Sequence, residues 1–172
     1  MKDHVRHSGA FAALISELGS TADAPSGRIL DLGSGGGVPG LALALLFPRR
    51  GVWLLEGSSR RAAWLRQTVT GLGLSDRVTV IGERAESAAR RSEWRSKFST
   101  IAARSFGRPG IVAECGAAFL EVGGSLVVSE PPPDPAREGE VRLGLGTPRW
   151  PSASLEKLGL GAAQAHLSDG FG

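Results

Sequence analysis

Four glycines between a short apolar run and a longer one are the first residues of this chain that could serve a chemical purpose. In the stretch ILDLGSGGGVPGLALALLF, the spacing is Asp31-x-Gly33-x-Gly35-x-Gly37. Each glycine in an ordered element costs roughly 0.5–1 kcal/mol relative to alanine, so packing alone does not favour the series. A glycine-rich turn between a strand and a helix lets backbone N–H groups approach a charged or polar ligand. The stretch therefore predicts a ligand loop at the start of a helix.

The spacing excludes two common ligand loops. A dinucleotide loop needs Gly-x-Gly-x-x-Gly, and the third position after Gly33 and Gly35 is Val38. A P-loop ends in Gly-Lys-Ser/Thr, and no lysine occurs between Lys2 and Lys97. A second chemical group comes from the next apolar run, GVWLLE, which ends in Glu56. Its carboxylate could accept both hydroxyl protons of a ribose, and an ordinary strand-end acid is the alternative.

Alternating apolar runs and helical patterns must position these groups. Five runs have the composition of buried strands: RILDL, GVWLLE, RVTVI, STIAAR and GSLVVSE. Helical patterns separate them in GLALALLF, SSRRAAWLRQTVTGLGL and GIVAECGAAFLEV, and GERAESAARRSEWRSKF predicts a loop and a polar helix. In the second of these, Ser58 or Ser59 is expected to cap the start and Gly73 to end it. The alternation predicts right-handed crossovers and an α/β fold with a mostly parallel central sheet and helices on both faces.

Segments near both ends add smaller elements. HSGAFAALISELGS predicts a short helix at 8–19. The proline- and glycine-rich stretch at about 130–150 predicts a loop, because PPPDP can continue neither a helix nor a sheet. SASLEKLGLG predicts a short helix ended by Gly159 or Gly161, and AAQAHLSDGFG predicts a strand running into an Asp169-Gly170 turn.

Length and composition predict one domain spanning residues 1–172. Apolar residues make up 41% of the chain and charged residues 22%, close to ordinary globular usage. No apolar run is long enough to cross a bilayer, so we expect a cytoplasmic protein with no membrane partner. No cysteine or histidine cluster has the spacing of metal ligands. Cys115 lies in an apolar helical pattern and is expected to be a buried thiol, not a nucleophile.

Basic residues are concentrated in the middle of the chain. Between Arg49 and Arg108 there are 13 basic and 5 acidic residues, although the net charge of the whole chain is only +3. Two interpretations are open: solvated helix faces, or a footprint for the phosphates of a nucleic acid. The arginines that would form this footprint include Arg60, Arg61, Arg90, Arg91 and Arg95.

The glycine loop and three later stretches resemble a known family. The Asp31 to Gly37 spacing resembles motif I of the class I S-adenosylmethionine-dependent methyltransferases. The longer stretch DLGSGGGVPGLALAL, in which Pro39-Gly40 runs directly into the helix, is similar to the signature of the glucose-inhibited division protein B family, the 16S ribosomal RNA guanine-N7 methyltransferases. WLLEGSSRRAAWLRQTVTGLGL, GERAES and ARSFGRPGIVAECGAAFLEVGGSLVV resemble family segments in the same order. Together these segments cover roughly residues 28–129.

The resemblance implies a Rossmann-like class I methyltransferase fold, S-adenosylmethionine as cofactor, and ribosomal RNA or the small ribosomal subunit as partner. Arg104 is implied to lie at both the cofactor and the target base, and so to be catalytic. A helix cap is the alternative for Glu86, and a surface ion pair is the alternative for Arg104. The implied cofactor contacts are Asp31, Gly33, Gly35, Gly37, Val38, Glu56, Gly57, Ala85, Glu86 and Arg104.

The implied reaction explains what the sequence lacks. Guanine N7 carries a lone pair and no proton, so a strong general base is unnecessary, and His4, His7 and His166 are expected to be structural or exposed. Two other hypotheses stay open. One is a methyltransferase of the same fold that acts on a small molecule or another nucleic acid. The other is a non-catalytic protein that binds the cofactor or RNA.

Overall fold

The computed structural model describes residues 2–18, 27–130 and 149–166, with side chains described from Ser8 onward in the first helix. The strands are β1 (Ile29–Leu32), β2 (Val52–Leu55), β3 (Val78–Ile81), β4 (Phe98–Arg104) and β5 (Leu120–Ser129). The helices are α1 (Lys2–Leu18), α2 (Gly40–Leu46), α3 (Ser59–Gly71), α4 (Ala85–Ala88), α5 (Pro109–Phe119) and α6 (Ser152–Glu156).

The five strands form one sheet in the order β3-β2-β1-β4-β5, and every pair is parallel. The α/β prediction with a mostly parallel sheet is therefore confirmed. The chain moves outward from β1 to β3 and then returns to the other side of β1 with β4. Open sheets of this kind bind ligands outside the carboxyl ends of the strands at the point where the order reverses. In this molecule that point lies between β1 and β4.

Helices cover both faces of the sheet. Side chains alternate between faces along a strand, and the core accordingly divides into two clusters. One cluster joins α1, α2 and α3 to the sheet and includes Ile15, Leu43 and Leu65. The other joins α4 and α5 to the opposite face and includes Ala88 and Phe119. β1 lies at the centre and all four of its residues are buried, so the loop that follows it starts from a rigid position.

Several helix ends lie where the sequence predicts them. The Ser58 hydroxyl accepts the N–H of Arg61 at 3.5 Å and caps α3, as one of the two expected serines. Gly73 has φ +66° immediately after that helix, a left-handed conformation that glycine adopts at little cost. Gly159 likewise has φ +75° after α6. The helix predicted at 8–19 is longer, because α1 already begins at Lys2.

Two element predictions were wrong, and one predicted helix is shorter than expected. The helix expected through Val122 ends at Phe119, and β5 begins directly at Leu120. Phe98 pairs with Leu120 and Thr100 with Ser125, so β5 carries extra residues there, and Gly123 with φ +83° allows the bulge.

The polar stretch after β3 forms only the four-residue helix α4, followed by turns. The predicted final strand is absent over 161–166, where the described chain is mostly exposed; its remaining residues and most of the predicted 130–150 loop lie outside the described ranges.

Candidate functional site

The glycine loop needs its glycines for backbone conformation. Gly33, Gly35 and Gly37 have φ values of +75°, +53° and +82°, a region that side chains disfavour by roughly 1–2 kcal/mol per residue. Gly33 also lacks room, since a Cβ there would lie 2.4 Å from Cδ2 of Phe106. Gly36 has nothing within 4 Å of an added Cβ, so its glycine is not sterically required. Alternate glycines thus fold the turn that the sequence predicted.

Most N–H groups of this loop bond within the protein. Gly33 and Ser34 both donate to the carbonyl of Leu55 at 2.9 Å, and Gly37 donates to the carbonyl of Ser34 at 2.6 Å. Gly35 donates to Oε2 of Glu56 at 2.9 Å. Among the described residues, the N–H groups of Gly36 and half-buried Val38 have no partner. These two are the loop donors that remain for a ligand.

Asp31 supports the loop from inside the sheet. Its carboxylate is buried, and Oδ2 accepts the N–H of Gly40 at 3.0 Å, the first residue of α2. An acid at a helix start satisfies an N–H that the helix leaves unpaired. Burial raises the pKa of Asp31 to about 7, against smaller lowering effects from Ser34 and Gly40. These contacts place Asp31 as a helix anchor, and its predicted cofactor contact stays a prediction.

The raised pKa of Asp31 predicts a pH-dependent stability. In the unfolded chain the group loses its proton near pH 3.8, whereas in the folded chain it keeps the proton until about pH 7. The free energy of unfolding should therefore fall by roughly 1 kcal/mol per pH unit as the pH rises from 5 to 7, and then level off. Asp31→Asn keeps an oxygen for Gly40 and should remove this slope. Urea unfolding of both proteins across that range tests it, and parallel curves would contradict it.

Glu56 joins the glycine loop to α3. It is 3% exposed. Oε1 accepts the N–H of Ser58 at 2.7 Å and Nη2 of Arg61 at 2.9 Å, while Oε2 accepts the N–H of Gly35. Burial alone would raise the pKa of Glu56, but the hydrogen bonds from Arg61, Ser58 and Gly35 outweigh it and lower the pKa. The group is therefore a carboxylate at neutral pH. Since each oxygen has two lone pairs, Oε2 keeps one acceptor position.

Three predicted contacts follow the ends of β2 and β3. Gly57 is exposed, and a Cβ there would lie 2.8 Å from Cδ of Arg84. Ala85 is buried in the core, so only its backbone could meet a ligand. Glu86 is exposed in the first turn of α4 and makes no side-chain cap there. Within the described ranges its side chain therefore makes no capping hydrogen bond, and its predicted cofactor contact stays a prediction.

Arg104 closes the other side of the loop. Ala103 pairs with Leu32 across β4 and β1, so Arg104 lies beside Gly33. Its charge is close enough to lower the pKa of Asp31 slightly. The side chain is half-exposed, and within the described ranges it makes no hydrogen bond or ion pair, so the ion-pair alternative finds no partner there. The structure thus brings Arg104, the glycine loop and Glu56 to one edge of the sheet.

Comparison with known proteins agrees with this geometry. Residues 10–130 match the model of the GidB family, described as rRNA small subunit methyltransferase G. The chain belongs to this family. The family resemblance stated from the sequence is therefore confirmed.

Relatives in the GidB family are identical to this chain at more than a third of the aligned positions. The ribosomal RNA small subunit methyltransferase G of Rubrobacter xylanophilus is 38% identical over 121 residues, which are 70% of this chain and 45% of the relative. The protein of the same name from Thermotoga sp. strain RQ2 is 38% identical over 106 residues, 62% of this chain and 45% of the relative. The chain therefore spans less than half the length of these curated relatives.

Solved structures support the class I methyltransferase fold. Geranyl diphosphate C-methyltransferase from Streptomyces coelicolor A3(2) superposes with a TM-score of 0.55 at 16% identity, over 70% of this chain and 44% of that one. Coclaurine N-methyltransferase superposes with a TM-score of 0.54 at 16% identity, over 70% of this chain and 34% of that one. At this identity the likeness concerns the fold alone, and the predicted Rossmann-like class I fold is confirmed.

Other predictions for this GidB-family chain concern groups away from the loop. Cys115 is buried. Burial is the main cause that raises the pKa of its thiol, and the negative charges of Glu86 and Glu114 raise it further. His166 is exposed, while the side chains of His4 and His7 lie outside the described part of the chain. In the ranges that the structure describes, no cluster of metal-ligating residues occurs and no helix is long and apolar enough to span a bilayer.

Two groups at the site were missed by the sequence analysis. Phe106 limits the space at Gly33, and nothing in the pattern ARSFGRP indicates that contact. Arg61 was assigned only to a phosphate footprint, yet it pairs with Glu56 across the β2–α3 turn. Its signal was present, because an arginine in the first turn of a helix lies close to the strand end before it.

The contact between Gly33 and Phe106 predicts a large effect of one methyl group. Gly33→Ala places a side chain at φ +75° and 2.4 Å from the ring, so we expect the free energy of unfolding to fall by about 2 kcal/mol. Gly36→Ala is the matched control, because open space surrounds that Cβ. Thermal unfolding compares the two. Equal stabilities would mean that the glycine is not required for the turn.

Proposed function

We propose that this chain is an S-adenosylmethionine-dependent methyltransferase that methylates guanine N7 in 16S ribosomal RNA. The observation that carries the proposal is the pair of ligand-ready groups at the sheet edge. Oε2 of the Glu56 carboxylate keeps an acceptor position, and the N–H groups of Gly36 and Val38 point to no partner among the described residues. Membership of the GidB family, described as rRNA small subunit methyltransferase G, supports the proposed reaction.

The residues present fit the cofactor. A ribose offers hydroxyl donors, one of which matches the acceptor position that remains on this buried carboxylate. The methionine part carries a carboxylate, which matches free backbone N–H groups in a glycine turn. Arg104 supplies a cation on the opposite side of Gly33. The predicted contacts of Gly57, Ala85 and Glu86 would flank the adenosine end, since they follow β2 and β3.

The proposed reaction depends on the positioning of the two reactants more than on acid or base catalysis. When bound, S-adenosylmethionine supplies an electrophilic methyl group: the N7 lone pair forms the new bond to carbon while the electron pair of the breaking carbon–sulfur bond returns to sulfur. Positioning of two reactants can supply roughly 7–11 kcal/mol of the barrier. Asp31 anchors α2, Glu56 fixes the loop against α3, and Arg104 is free to hold the base. Such a division of roles needs no catalytic histidine.

The exposed arginines support a polyanionic substrate. The side chains of Arg60 and Arg90 are exposed and make no hydrogen bond or ion pair with other described residues, whereas Arg91 pairs with Glu83. The Arg60→Ala, Arg90→Ala double variant should therefore reduce the slope of log affinity against log salt by about 1.4 for single-stranded RNA. Binding to a 16S ribosomal RNA transcript between low and physiological salt measures it. An unchanged slope would show that these two arginines lie on solvated helix faces and do not bind RNA phosphates.

The decisive experiment is transfer of labelled methyl groups to 30S subunits from a strain that lacks this protein. Cofactor binding is measured on the same sample, and naked 16S ribosomal RNA is tested in parallel. Label in RNA that maps to guanine N7 supports the proposal, and a substrate of this kind would locate the protein in the cytoplasm. Cofactor binding without label would instead favour a small-molecule substrate or a non-catalytic protein.

A further inference from the structure

Three residues form a polar cluster beside the site, and none of them is used in the proposed function. Glu130 accepts the Nε1–H of Trp150 on Oε1 at 3.0 Å and the Nε of Arg149 on Oε2 at 2.7 Å. We refer to Glu130, Arg149 and Trp150 as the Glu130 cluster. It joins the end of β5 to the chain that precedes α6. Both oxygens of one carboxylate are therefore used to hold a tryptophan and an arginine in fixed positions.

The register of the sheet places this cluster next to Arg104. Arg104 pairs with Ser129 across β4 and β5, and neighbouring strands lie about 4.8 Å apart. Glu130 is the next residue, so it leaves the sheet beside Ser105. This is the carboxyl edge, where parallel sheets bind their ligands. The cluster thus extends the glycine loop and Arg104 along one continuous edge of the molecule.

The Arg149 guanidinium is held by one contact and keeps other N–H donors unused. Its side chain is 52% exposed, and only Nε is used for Glu130. In the described part of the chain, Nη1 and Nη2 have no partner, which leaves the planar end of the guanidinium open. That end matches the geometry of a phosphate, and an arginine already fixed by one bond loses less freedom when it binds. An exposed ion pair by itself adds little stability, so the pairing is better explained by orientation.

The surroundings of Arg149 fit a nucleic-acid strand. Among the described residues, Arg104 and Arg108 add two cations at and just after the end of β4. Ser105 between them is exposed with φ +54°, and strained backbone of this kind occurs often at ligand sites. Trp150 is half-buried against the core cluster of α4 and α5, which fixes one end of the Glu130 carboxylate. Cations beside a fixed aromatic residue are typical of sites for single-stranded nucleic acids.

We propose that Arg149 binds a backbone phosphate of single-stranded RNA next to the target nucleotide, and that Glu130 and Trp150 are positioning residues for it. The inference rests on the proposed function, because it requires an RNA substrate. Arg149, held by Glu130 at the end of β5, then binds the RNA backbone and Arg104 at the end of β4 binds the base, while the other cofactor contacts follow β1, β2 and β3. RNA affinity and cofactor affinity should therefore respond to different residues.

Binding of a 16S ribosomal RNA transcript at several salt concentrations tests the proposal in the full chain. Arg149→Ala should weaken binding roughly tenfold and reduce the log–log salt slope by about 0.7. Arg149→Lys keeps the charge without the planar fork, so its RNA affinity should lie between those of the wild type and Arg149→Ala. Glu130→Gln and Trp150→Phe should weaken binding less than Arg149→Ala. Arg49→Ala is the matched control, because Arg49 is exposed between α2 and β2 at the opposite edge of the sheet.

Three results would overturn or separate the proposals. Equal affinity and equal slope for Arg149→Ala and Arg49→Ala overturn the role of Arg149 and leave the proposed function standing. A wild-type protein that binds S-adenosylmethionine and no RNA overturns both. Loss of cofactor affinity or of thermal stability in Arg149→Ala would show a structural role and contradict the assignment. Unchanged cofactor affinity with weaker RNA binding supports it.

Discussion

Replacing Glu56 by alanine is expected to weaken S-adenosylmethionine binding by 100-fold or more. A hydrogen bond from a ribose hydroxyl to the remaining position on Oε2 is worth up to roughly 3 kcal/mol because the acceptor is charged, which corresponds to a factor of about 100. The variant also removes the acceptor of the Gly35 and Ser58 N–H groups, so the loop loses its attachment to α3. Isothermal titration with the cofactor measures the effect, with thermal unfolding as a check on the fold.

The geometry around Glu56 supplies two matched controls. Glu56→Gln keeps one acceptor oxygen and the size of the side chain, so its affinity should lie between those of the wild type and the alanine variant. Arg61→Ala removes a guanidinium that is 57% exposed and uses one lone pair of Oε1. Because Arg61 competes with a hydroxyl for that position, its removal should leave cofactor affinity unchanged or slightly higher. Tight binding by Glu56→Ala would show that the ribose is held elsewhere.

The position of Glu56 could be predicted because it depends only on local signals. An apolar run ending in an acid places the carboxylate at the carboxyl end of a strand, and parallel packing then brings it to the edge where the glycine loop lies. The same holds for Arg104 at the end of β4. Positions along the chain and the alternation of strands and helices were therefore enough to bring these groups together.

Contacts between distant segments could not be predicted in this way. Asp31 bonds the N–H of Gly40 nine residues later, and whether it faces the helix or the ligand depends on the angle at which α2 leaves the loop. Glu130 and Trp150 lie 20 residues apart, with no periodic pattern between them. The strand bulge at Gly123 was missed for a similar reason, because pairing with β4 overrides the helical pattern of the stretch before it.

Arg104→Ala is expected to lower the rate of methyl transfer by 100- to 1,000-fold, with a much smaller effect on cofactor affinity. Guanine presents O6 beside N7, and an arginine can donate to O6 while N7 stays free to react. Losing such a donor leaves the base misplaced, and an error of about 1 Å costs roughly 100-fold in rate. Arg104 suits this role because it is half-exposed at the switch point and has no partner among the described residues. Single-turnover transfer to 30S subunits measures the rate.

The distribution of the loss between kcat and KM identifies what Arg104 does. If it orients the base, kcat falls while KM changes little, since the interaction matters most in the transition state. If it only attracts RNA, KM rises and kcat persists, and Arg104→Lys restores the activity because charge alone is then sufficient. Lysine cannot reproduce the planar fork, so an Arg104→Lys protein that binds RNA normally but transfers slowly would place Arg104 at the base. Full activity of Arg104→Ala would show that Arg104 has no role in methyl transfer.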